Sequence, residues 1–65
     1  MDTSTKIRTI HLEYDLIEIH HNPLLKNKPY LIRFYSYYNF DPAELRCDET
    51  ELQNLYSILK EYKLL

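Results

Sequence analysis

The side chains that could carry chemistry here are three histidines, one cysteine and ten acidic residues in a chain of 65. A metal site needs ligands clustered at fixed spacings, such as Cys-x-x-Cys or two histidines one helical turn apart, and neither spacing occurs. His20 and His21 are adjacent, so in a strand they point to opposite faces. His11 and Cys47 also fall on opposite faces of the sheet predicted below. No metal and no cofactor is expected.

Cys47 as a nucleophile would need a base and an exposed, electropositive setting. Asp48, Glu49 and Glu51 follow it and would raise a thiol pKa, although the start of a helix opposes that effect. The expectation is a buried, inert cysteine. Glu13 with Asp15, and Glu49 with Glu51, read as ordinary surface charge. General acid–base work needs a cleft that shifts a pKa, and a sheet under one helix offers no obvious cleft. The chain is therefore expected not to be an enzyme.

The aromatic residues are the more informative group. Six of the nine lie between positions 30 and 40, as Tyr30, Phe34, Tyr35, Tyr37, Tyr38 and Phe40. Their run, YLIRFYSYYNF, reads as a strand with apolar or aromatic side chains on both faces. A short chain can cover one face of a sheet with its own helix and has little left for the other.

The elements that must position these residues follow from periodicity. Ile10, Leu12, Tyr14 and Leu16 alternate with polar neighbours, which marks a half-buried strand. The phase flips at Ile17 and Ile19, so a bulge is expected near Leu16–Ile17, or else a break into two short strands. Residues 20 to 29 form a loop around Pro23 and Pro29, with Leu24 and Leu25 folding back onto the core edge. Residues 30 to 38 form the second strand, 39 to 44 a turn, and 44 to 47 a short third strand with Leu45 and Cys47 inward.

Asp48-x-x-Glu51 then opens a helix as a capping box. Leu52, Leu55, Tyr56, Leu59 and Tyr62 make its apolar stripe. Lys60 and Lys63 suit its C-terminal end. The chain contains no glycine, so Asn22, Asn27, Asn39 and Asp41 are the natural residues for positive φ. The predicted fold is α+β: a three-stranded antiparallel meander with one C-terminal helix on one face (β-β-β-α). It forms a single domain over residues 1–65, with a flexible terminus at 1–6, the sheet at 7–47 and the helix at 48–63.

A domain this small is marginal alone, and one cysteine allows no internal disulfide, so a partner or a second copy is the expected support. In this register the open face carries Thr9, His11, Glu13 and Asp15, then Arg33, Tyr35 and Tyr37, then Glu44 and Arg46. Tyr and Arg flanked by charge resemble interface composition. The expected partner-binding residues are His11, Glu13, Arg33, Tyr35, Tyr37 and Arg46. Cross-strand pairing of Arg33 with Glu13 or Asp15 is the purely structural alternative.

A net charge of −2 supplies no electrostatic footprint for duplex DNA. Aromatics on a strand can stack single-stranded bases, but this run lacks the glycines and basic partners of RNA-recognition sheets. No stretch reaches the ~20 apolar residues of a membrane span. No signal-peptide core opens the chain, and a lone thiol fits a reducing compartment, so a cytoplasmic location is expected.

The bias toward Lys, Asn, Ile and Tyr suggests an AT-rich genome, in which short reading frames are common in phages and mobile elements. Together these features predict a non-enzymatic protein–protein interaction module that is homo-oligomeric. It would inhibit a host enzyme or defence complex by occupying its surface. The alternative is a single-stranded nucleic-acid binder or small regulatory protein that uses the aromatic sheet face.

Overall fold

The computed structural model of the protein describes residues 3–65, with Asn39 and Phe40 described by backbone alone. It has four strands and one helix: β1 (Thr5–His11), β2 (Asp15–His21), β3 (Tyr30–Ser36), β4 (Asn39–Cys47) and α1 (Glu49–Glu61). The strands form one antiparallel sheet in the order β1-β2-β3-β4. The Cα extents are 33 × 28 × 15 Å, and the thin dimension fits one helical layer on one sheet. The fold class is α+β with an antiparallel sheet and a C-terminal helix, but with four strands where the sequence suggested three.

The fourth strand comes from splitting the predicted first one. Leu12–Asp15 closes a tight hairpin through the Leu12 N–H to the Asp15 carbonyl at 2.9 Å, so Ile10 and Ile17 become cross-strand partners. The phase flip at Ile17 therefore records a chain reversal, the break into two short strands that stood as the alternative to a bulge. The bulge of this ladder lies earlier, at Ile7: Lys6 pairs His20 while Arg8 pairs Ile19. That extra residue sends Lys6 to the open face. Arg8 goes to the helix side, where its guanidinium lies 5.1 Å from the centre of the Tyr56 ring.

β4 is longer than expected. Its register against β3 shifts between Phe34↔Ala43 and Ser36↔Asn39, and Pro42 sits in that irregularity on an edge strand, where its missing N–H costs no ladder bond. Of the predicted flexible segment 1–6, Thr5 and Lys6 belong to β1, and residues 1 and 2 lie outside the described residues.

The core is Ile10, Ile17, Ile19, Ile32, Cys47, Leu52 and Leu59, with Leu12, Tyr30, Leu55 and Tyr56 packed against it. The helix is the element the sequence placed best. Asp48 caps it: its carboxylate accepts from the Glu51 N–H at 2.8 Å, and Glu51 accepts from the Asp48 N–H at 3.0 Å. Tyr62 is exposed instead of extending the buried stripe. The helix is tied to the sheet by the Tyr30 hydroxyl, which donates to Glu49 at 2.6 Å. That bond holds the Glu49 carboxyl below its ordinary 4.5 and raises the Tyr30 hydroxyl.

Among the described residues only Lys63 has positive φ, at 60°, so Asn22 and Asn27 do not use it. Asn22 instead closes the β2–β3 loop: its side-chain oxygen accepts from the Leu24 N–H at 3.1 Å, and its N–H donates to the Pro29 carbonyl at 2.8 Å. Leu25 is half-buried in that loop, whereas Leu24 points outward and does not fold onto the core.

Candidate functional site

The helix starts beside Cys47 and Tyr30 and reaches across to Arg8, which leaves the hairpin half of its own sheet face uncovered. Phe34, Ala43 and Leu45 on that face are exposed. Phe34 and Ala43, with Leu12, Leu16, Ile17 and Tyr35, border a depression of about 380 Å³, and Asp15 and Asp41 stand at its edge. Phe34 and Ile17 are cross-strand partners here, as are Phe34 and Ala43, so the floor is set by sheet register.

The two hairpins meet above this depression. The Tyr37 N–H donates to the Tyr14 carbonyl at 3.0 Å, which joins one tip to the other. The Tyr14 and Tyr38 rings lie 6.4 Å apart, and Tyr37 meets Tyr38 edge to face at 5.2 Å. All three are solvent-accessible, at 58, 76 and 78% for Tyr14, Tyr37 and Tyr38. Residues 12–19 and 34–45, which form both hairpin tips and their flanks, contain no lysine or arginine.

The face away from the helix is of another kind. Its central rows are polar and mutually bonded. Glu18 accepts from His20 at 3.1 Å and lies 3.7 Å from the Lys6 ammonium. The His20 hydrogen bond is the main reason the Glu18 carboxyl sits below its ordinary 4.5. Burial opposes it, and Tyr35 and Lys6 add to it. Arg33 donates through Nε to Glu44 at 3.1 Å, and its charged form is favoured first by Tyr35 and then by Glu44. Arg33 and Glu44 are direct cross-strand neighbours. The alternative pairing of Arg33 with Glu13 or Asp15 is therefore replaced by Glu44, because the hairpin at Leu12–Asp15 moves both acids to the far end of the sheet.

The six predicted binding residues are thus dispersed. His11, Arg33, Tyr35 and Arg46 lie on the open face. Glu13 and Tyr37 do not, because each occupies a hairpin turn. Tyr35 is half-buried within the polar rows, and Arg46 is exposed beside Leu31. Alternation alone assigns Tyr14 and Tyr38 to strands, whereas both stand in the hairpin turns beside Tyr37. A signal was present in the pair EY and YY, each followed by a polar residue, between apolar alternations.

Cys47 is buried at the head of the helix. Burial pushes its thiol up, and Glu51 and Asp48 push it further, so the thiolate is disfavoured there. Among the described residues no three His, Cys, Asp or Glu side chains are grouped to hold a metal. None of the described helices is long and apolar enough to cross a membrane. No protein family, curated protein or solved structure matches this chain.

Proposed function

We propose that this chain is a non-enzymatic protein–protein interaction module that docks through its hairpin end. The observation that supports this best is the gathering of three exposed tyrosines at the tips of two hairpins whose flanks line an uncovered depression. Exposed aromatic and apolar groups gathered in one place cost solubility, and their usual use is an interface. Tyrosine suits that role because it offers a large rigid surface with little rotamer entropy to lose, and its hydroxyl bonds at the rim.

The acids at this end separate the proposal from single-stranded nucleic-acid binding. Glu13, Asp15 and Asp41 lie in or beside the hairpins, with no lysine or arginine in either. A phosphate backbone brought to the tyrosines would meet negative charge and nothing to neutralise it. This geometry supports action by occupation of a partner's surface, as an inhibitor or adaptor acts. A second copy of the chain is one occupant such a surface could take.

The test replaces Tyr14, Tyr37 and Tyr38 together with serine. All three are exposed, so the circular dichroism spectrum and melting profile should be retained. Light scattering across a concentration series reports self-association, and affinity capture from lysate reports other partners. Loss of self-association or of specific capture, with the fold intact, supports the hairpin surface. Unchanged mass and unchanged capture overturn it.

A further inference from the structure

The open face holds a second recess, remote from the tyrosines. It has a volume of about 170 Å³ and lies where the β2–β3 loop overhangs the sheet. Its sheet wall is one cross-strand row, His20, Leu31 and Arg46, with Arg33 two positions from Leu31 on the same face. Asn22 and Pro29 form the loop side. Among the described residues no aspartate or glutamate lines it.

The two guanidiniums are in different states. Arg33 is fixed by its Nε contact to Glu44 and by Tyr35, so its charge is paired while it keeps further N–H donors. Arg46 has no side-chain hydrogen bond or ion pair among the described residues. Counting Arg33, Arg46 and Lys6 against Glu18 and Glu44 leaves one net positive charge on this part of the face with His20 neutral, in a chain whose total is −2. A free guanidinium beside a fixed one is suited to grip an oxygen-rich anion, since each presents planar pairs of N–H donors.

The geometry points to an oxyanion-binding site in this recess, with Arg46 as the mobile clamp, Arg33 as the fixed one and His20 at the wall. The ligand is a phosphate or carboxylate group, because both present oxygen pairs at the spacing of a guanidinium edge. This site does not depend on the hairpin proposal and lies on the other face of the sheet.

The experiment titrates ¹⁵N-labelled protein with inorganic phosphate, with acetate, and with sodium chloride at matched ionic strength, following amide and arginine Nε–H signals. A saturable response at Leu31, Arg33 and Arg46, with roughly millimolar affinity and at least a fivefold weaker response in R46Q, is the expected result. Saturation by phosphate alone assigns a phosphate group, and saturation by acetate alone assigns a carboxylate. A response equal to that of sodium chloride, or one unchanged in R46Q, overturns the site. Arg46 is exposed and has no partner among the described residues, so R46Q should keep the wild-type melting temperature, and R46K, which retains charge without the planar fork, should restore binding only in part.

Discussion

Lys63 occupies a position that glycine usually fills. The helix ends at Tyr62. The Leu64 N–H then donates to the Leu59 carbonyl at 2.8 Å and the Lys63 N–H to the Lys60 carbonyl at 3.0 Å, the two bonds of a Schellman ending. That ending requires a left-handed residue, and Lys63 supplies it at φ 60°. A side chain with a Cβ loses about 1–2 kcal/mol there. Glycine avoids the strain but loses about 0.4–1 kcal/mol more on ordering from the unfolded chain. The lysine charge also favours the helix C-terminus by about 0.3–1 kcal/mol, so the clean comparison is K63G against K63A, both of which lack it. K63G should be the more stable of the two by roughly 1 kcal/mol, the difference between the first two figures. In a domain of this size that is about 4–8 °C in melting temperature by circular dichroism. Equal melting temperatures, or K63A the higher, would refute the left-handed ending and the strain argued for it.

Other expected outcomes follow from the same structure. Ile19 is fully buried between β1 and β3, so I19A should lose about 2–5 kcal/mol in urea titration. A domain of this length has only about 3–10 kcal/mol in total, so the variant should be partly unfolded at room temperature. D48A removes one half of the capping box and should cost about 1 kcal/mol by the same assay, whereas an unchanged midpoint would show the cap to be redundant.

Glu18 and Glu49 both titrate below their ordinary 4.5 in the folded state, so the unfolded chain takes up protons first as the pH falls. Their stabilisation is complete above about 4.5 and is lost as the pH drops through the folded values, so the melting temperature should decline below that point. The decline should be shallower in E18Q, and an identical pH profile in that variant would discount the Glu18 contacts.

How much of this was legible beforehand differs by element. The helix, its capping box and the burial of Cys47 follow from local rules: a carboxylate reaching a backbone N–H three residues on, and apolar residues at helical spacing. The sheet was legible as alternation, but its strand count was not. Alternation reports which face a side chain takes, and a tight reversal at Glu13–Tyr14 produces the same phase change as an inserted residue. With no glycine, the turn lacked the Asn-Gly or Asp-Gly pair that marks a hairpin most clearly.

That one reversal relocated the candidate site. It carried Glu13 off the open face, set Glu18 opposite Arg33, and brought Tyr14 beside Tyr37 and Tyr38 from more than 20 positions away in sequence. Residue order by itself determined the α+β composition, the capped helix and an excess of aromatic surface. The tertiary structure alone decided where that surface lies. The single helix runs from Tyr30 and Cys47 across to Arg8, and the exposed tyrosines at the tips of the β1–β2 and β3–β4 hairpins lie beyond it.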